Sequence, residues 1–217
     1  MADIFHEVDE EVRRERLQRL WERYSFHIIA GAVLVIAVIG GWRGYEWYID
    51  KQAAAAGAQF ESAISLSEEG KNAEAAEAFD KLAAQAPAGY RVLARLRAAA
   101  ELAKTKPQDA AKAYDALAAD GSLGQTLQDL ATVRAAMLRL DTASLADMQK
   151  ELTPLAEPGR AFRHSAREIL ALSAWRNHDV ASARKYIEMI NNDAESPPVM
   201  RTRIEMLSAL IAAEGKS

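Results

Sequence analysis

The sequence predicts an all-α protein: a single N-terminal transmembrane helix followed by a solenoid of stacked helical hairpins. Three observations carry this. From Tyr24 to Trp42 runs a stretch of 19 residues without Asp, Glu, Lys or Arg. Beyond Lys51 the chain turns alanine-rich, in segments of about 12 to 18 residues whose apolar side chains recur every three or four positions. Prolines number only six among 217 residues, and alanine gives up no side-chain entropy in a helix.

Composition narrows the function classes before any motif is considered. Half the residues are hydrophobic, enough to bury a core. A net charge of −4, with basic residues scattered rather than gathered with aromatics, leaves no footprint for nucleic acid. The chain has no cysteine, which excludes a disulfide framework, a thiolate metal site and a cysteine nucleophile, and leaves the redox compartment open.

Residues 1–23 form the first element, a cytoplasmic N-terminal helix. Asp9 and Arg13, Glu10 and Arg14, and Glu15 and Arg19 are acid-then-base pairs at i and i+4, each contributing about 0.2–0.5 kcal/mol. Val8, Val12, Leu17, Leu20, Trp21 and Tyr24 give it a discontinuous apolar stripe, suited to a membrane surface, a partner helix or a solvated extension of the anchor.

Residues 24–48 form the second, the transmembrane helix with its aromatic flanks. A 19-residue helix spans about 28 Å, close to the roughly 30 Å of bilayer hydrocarbon. Eight of the twelve positions from Ile28 to Ile39 are Ile, Leu or Val, which together favour insertion by roughly 2–5 kcal/mol. Trp21, Tyr24 and Phe26 bracket the run on one side and Trp42, Tyr45, Trp47 and Tyr48 on the other, as rings at two headgroup levels do. Five basic residues (Arg13, Arg14, Arg16, Arg19, Arg23) precede the span and two (Arg43, Lys51) closely follow it, so the N-terminus is expected in the cytoplasm. A cleaved signal peptide is the rival reading. The long leader, and the bulky residues between Ile39 and the small residues at Ala53–Ala56, argue for an uncleaved anchor.

Residues 52–217 form the repeat domain. Gly70 ends one helix, and the next carries Ala75, Phe79 and Leu82 before Pro87. A small residue, an aromatic, a packing residue and a proline at spacings of 4, 3 and 5 match the second helix of a tetratricopeptide repeat. Ala63 falls on the small position of the first helix and Leu66 on its next packing position. The pattern returns 35 residues later as Ala110, Tyr114 and Leu117, and again as Asp179, Ala183, Tyr186 and Met189. The intervening copy is degenerate, with Leu145, Met148, Leu152 and Leu155 and with Pro154 and Pro158 near its end. Pro198–Glu214 is expected to cap the stack, giving roughly four hairpins and a cap. Stacking is required because a lone hairpin cannot bury its own apolar face.

No catalytic chemistry is legible. His6, His27, His164 and His178 stand in no metal-ligand spacing, and GxSxG, GxxxxGK[ST] and GxGxxG are absent. The reading is therefore of a protein that is not an enzyme and has no cofactor. A solenoid offers instead a groove lined by the first helix of each pair. Projecting the repeat register places Arg95 and Arg167 at equivalent inner positions with Arg134 between them. Arginines there would clamp carboxylates on a partner chain, or solvate an otherwise apolar face.

The leader DIFHEVDEEVRRERLQRLWERY, the GWR at Gly41–Arg43 and the alanine-rich start QAAAAGAQFESAI resemble the family of ancillary Sec translocon subunits, YfgM-like, over nearly the whole chain. The resemblance implies a bacterial inner-membrane, single-pass protein with a periplasmic tetratricopeptide-repeat domain. It implies association with Sec channel subunits, periplasmic chaperones and translocating polypeptide, in a chaperone-like adaptor role. The alternative is a regulatory interaction protein of envelope stress or cell division, acting through its cytoplasmic tail.

Overall fold

A computed structural model describes residues 3–214, and among the described residues every regular element is helical. The chain divides into two compact units, Met1–Ala54 and Ala55–Ser217.

From Asp3 onward the first unit lies within α1 (Asp3–Glu68). Its apolar side chains, Ile29, Val33, Leu34, Val35, Ile36, Val38 and Ile39, are exposed along the helix. A helix this long and apolar is able to cross a membrane, where those side chains meet lipid rather than water. At its far flank Trp42 donates its indole N–H to Glu46 (2.9 Å), and the Lys51 ammonium sits 5.1 Å from the centre of the Trp47 ring. The expected acid–arginine pairs at Asp9/Arg13, Glu10/Arg14 and Glu15/Arg19 lie outside the described side chains.

The second unit begins with residues 55–68 of α1, which form a hairpin with α2 (Asn72–Gln85). Three more pairs follow: α3 (Ala88–Thr105) with α4 (Pro107–Ala118), α5 (Gln125–Arg139) with α6 (Leu145–Ala156), and α7 (Arg163–Arg176) with α8 (Val180–Asn191). Then α9 (Pro198–Glu214) packs on α7 and α8 as the expected cap. The second helix of each pair also packs on the first helix of the next, as stacked repeats require.

One register runs through all four hairpins. Ala63, Ala98, Ala136 and Ala171 occupy the first helices; twelve residues later come Ala75, Ala110, Met148 and Ala183. Four residues on stand Phe79, Tyr114, Leu152 and Ile187, and three further Leu82, Leu117, Leu155 and Ile190; all sixteen are buried. The degenerate third copy is thus in step with the others. In the fourth copy, however, the large positions are Ile187 and Ile190 rather than Tyr186 and Met189. Tyr186 is still buried because it borders the same apolar face, whereas Met189 is only partly covered.

Successive copies are 35, 38 and 35 residues apart, so three extra residues separate the second from the third. They match the single 3₁₀ turn Gly121–Leu123 between α4 and α5. Asp120 stabilises that turn by accepting from the Ser122 N–H (3.1 Å) and hydroxyl (2.6 Å).

The turns within the first and fourth hairpins are built alike. After α1, Lys71 N–H bonds to Leu66 C=O and Gly70 N–H to Ser67 C=O, with Gly70 at φ +77°. After α7, Asp179 N–H bonds to Ala174 C=O and His178 N–H to Trp175 C=O, with His178 at φ +59°. Both satisfy the last carbonyls of a helix through one left-handed residue. His178 is thereby accounted for as a helix stop.

Candidate functional site

The three arginines expected to line one groove go to different places. Arg95, Arg134 and Arg167 stand three, two and four residues before the buried alanine of their own helices, so they are not equivalent in the register. Each residue step turns a helix by about 100°, which sends the side chains in different directions. Arg95 pairs with Asp120 (2.6 Å). That carboxyl is held down to about 2 by hydrogen bonds from Ser122 and Arg95. Arg167 is buried and donates to the carbonyls of Ala156 (2.8 Å) and Met189 (3.1 Å) and to Asp193 (2.8 Å). Arg134 is exposed and makes no hydrogen bond or ion pair with described residues.

Arg97, a residue the sequence register passed over, is exposed as Arg134 is. Both guanidiniums act on the phenol of Tyr114. Burial raises its pKa, Arg134 and Arg97 oppose that rise, and Glu101 adds to it. Glu101 is itself engaged, accepting from the Ser67 hydroxyl (2.7 Å) across the first repeat boundary and from the Lys104 ammonium (2.7 Å) on its own helix. Leu93, one turn before Arg97, and Met137, nearly one turn after Arg134, are both exposed. The signal for Arg97 was its place directly before Ala98, visible only once the register is fixed.

Other boundaries are joined by charge as well. Arg139 of α5 reaches Asp115 of α4 (2.7 Å) and Glu151 of α6 (2.6 Å); Arg160 reaches Asp129 (2.6 Å); Arg203 of α9 grips both oxygens of Glu168 on α7 (2.6 and 2.8 Å). These arginines serve stacking, leaving less of the basic surface for partners.

A cleft of about 620 Å³ opens where the segment before α7 meets the end of α8, lined by Pro158, Gly159, Arg163, Arg167, Asp193 and Glu195 among others. Asp193 is its hub. It accepts from Arg163 Nε (2.8 Å), Arg167 Nη1 (2.8 Å) and the Glu195 N–H (3.0 Å), and these bonds hold its carboxyl well below the usual carboxylate range. Arg163 also pairs with Glu195. Beside them His164 is buried, its Nδ1 3.2 Å from the Ser196 hydroxyl, which donates to Ile190 C=O (2.6 Å).

Burial and then the positive charge of Arg163 lower the His164 pKa from its ordinary 6.5, with Asp193 opposing. The unfolded chain therefore binds this proton more readily than the folded one. The stability contributed by neutral His164 is present above about pH 6.5 and is lost as pH falls through the lowered folded value. Thermal unfolding followed by circular dichroism should show the melting temperature falling below that pH. His164→Asn should flatten this limb; an unchanged limb would assign the acid sensitivity elsewhere.

No cluster of His, Asp and Glu suited to a metal ion occurs among the described residues. A family model described as a tetratricopeptide repeat-like domain matches residues 18–209. No curated protein and no solved structure matches the chain.

Proposed function

This chain belongs to the tetratricopeptide repeat-like domain family, and on that premise we propose that it is a membrane-anchored periplasmic scaffold associated with the Sec translocon, a chaperone-like adaptor for translocated proteins. The observation that carries the reading is the unbroken four-hairpin register. Its core positions are filled, so what the repeats offer is their surface. Repeat domains of this family serve protein–protein interaction.

The anchor supplies the location. Residues 24–48 span the bacterial inner membrane, residues 1–23 lie in the cytoplasm, and residues 52–217 work in the periplasm. The excess of arginine before the span supports that orientation. The leader, the GWR and the alanine-rich start that resemble ancillary Sec subunits support the choice of partners: Sec channel subunits, periplasmic chaperones and translocating polypeptide. Of Arg95, Arg134 and Arg167, it is Arg134 that meets a partner's carboxylate, because the other two are occupied within the chain.

Crosslinking in living cells, followed by affinity purification in mild detergent, tests this. Sec channel subunits should be enriched over other abundant inner-membrane proteins. Recovery of envelope-stress or division proteins without the channel would replace the reading with a regulatory role exercised through the cytoplasmic tail.

A further inference from the structure

A helix that closes a stack of repeats needs a polar outer face, because no further repeat covers it. In α9 (Pro198–Glu214) the inner face is as expected: Met200, Ile204, Leu207 and Ile211 are buried in the core shared with α7 and α8. The outer face is apolar. Val199, Met206 and Leu210 are 69%, 57% and 52% exposed, and Thr202, Ala209 and Ala213 are exposed with them. Steps of three and four place these six residues on one continuous seam along the helix. Of the six large apolar side chains exposed among the described residues of the repeat unit, three stand on this one helix. Helices apolar on all sides are buried on all sides, yet the chain itself covers only one side of α9.

The surroundings of the seam decide what covers it. A bilayer surface needs cations beside the apolar row. Here Arg201 donates to the carbonyls of Asp193 and Ala194 (3.2 Å each), and Arg203 holds Glu168 (2.6 and 2.8 Å). Glu205, exposed on the same helix and without an ion-pair partner among the described residues, opposes an anionic surface. Head-to-tail stacking of copies has no support either. At the other end of the stack the first hairpin exposes Gln59, Glu61, Ser62 and Ser65, which offer the seam nothing apolar. The seam is matched by itself. Two α9 helices packed antiparallel about a two-fold axis bury the same apolar row against each other, and such a contact closes after two copies. Seventeen residues make a contact about 25 Å long. Two such faces bury on the order of 1,000 Å², the low end for a specific interface. Anchors that hold both copies in one membrane raise their effective concentration, so a contact of this size suffices.

We propose that the outer face of α9, through Val199, Met206 and Leu210, is a self-association surface that joins two copies of this chain. The dimer completes the burial that the single chain leaves unfinished at the end of its stack. This rests on the anchor in the functional reading above and is independent of the partners named there.

The chain has no cysteine, so one introduced thiol reports one contact. Met206 is the midpoint of α9, and the two-fold axis brings its two copies within reach of a disulfide. The full chain carrying Met206→Cys, oxidised by copper–phenanthroline in native membranes, should form a disulfide-linked dimer. Its yield should be at least about tenfold that of Met137→Cys, where the parent methionine is similarly exposed on α5. Adding Leu210→Glu should lower the yield about tenfold, because the seam would bury a carboxylate without a partner. Val199→Glu is a second such variant; both side chains are exposed in the single chain, so its fold tolerates either change. Equal yields from Met206→Cys and Met137→Cys, or a yield that both glutamates leave unchanged, overturn the proposal. A disulfide to a different protein in place of the dimer also overturns it and gives the face to a foreign helix. Alkaline carbonate extraction tests the anchor separately. Release of the chain refutes the anchor, whereas a retained chain without the Met206→Cys dimer refutes the α9 face and leaves the functional reading standing.

Discussion

Phe79→Ala is expected to lower the melting temperature of the repeat domain by roughly 6–20 °C, corresponding to about 3–5 kcal/mol. Phe79 is fully buried, and its ring meets Phe60 edge to face at 5.1 Å between centres. It shares its core cluster with Ala56, Ala63, Ala75, Ala94 and Leu82, and Phe60, Ile64, Leu66 and Tyr90 pack against that cluster. The buried alanines around the ring have no long side chain to swing into the space, so deleting it leaves a cavity and carries the cost of a core ring deletion. A domain of this size has about 5–15 kcal/mol in hand, so the loss is a large fraction of it. In a stack where each hairpin touches only its neighbours, the damage stays local at first. Limited proteolysis should therefore cut between residues 55 and 86 before it cuts elsewhere. A melting curve superimposable on the parent's would mean that the first hairpin does not unfold with the rest.

The first two hairpins were legible because Phe79 and Tyr114 are conspicuous among alanines and stand 35 residues apart. The third was legible only as a degenerate copy, since Met148, Leu152 and Leu155 keep the spacing but share neither the alanine nor the aromatic. Nothing in the sequence marked Gly121–Leu123 as an insertion rather than an ordinary turn. Carrying a uniform period across it led from Tyr114 to Tyr186, one residue short of Ile187. One residue is about 100° around a helix, a small error for an apolar face several residues wide and a large one for a single arginine. Hence the projected core stays on one face, while the three projected arginines fall at three different register positions. The ion pairs that join the repeats were beyond reach for another reason. Glu168 with Arg203 and Asp129 with Arg160 are 35 and 31 residues apart, and only the stacked helices place them in contact.

Arg167 shows what the projection could not see, and replacing it with methionine is expected to cost roughly 2–6 kcal/mol through two backbone carbonyls left without a donor. Those carbonyls, of Ala156 and Met189, lie in the last turns of α6 and α8, where helix carbonyls lack an intrahelical partner. One guanidinium on α7 thus closes the ends of the helices on either side of it, with its positive charge at the negative ends of both dipoles. Its third contact, to Asp193, ties the loop after α8 to the same point. Methionine fills much of the volume and donates nothing, so the effect isolates hydrogen bonding from packing. Arg167→Lys should recover only part of the loss, because an ammonium cannot present the planar fork that reaches three acceptors at once. Denaturant unfolding of the parent and both variants orders them as arginine, lysine, methionine if Arg167 is a helix-end clamp. If methionine instead leaves stability unchanged and abolishes partner crosslinking, Arg167 belongs to the binding surface and the clamp is incidental.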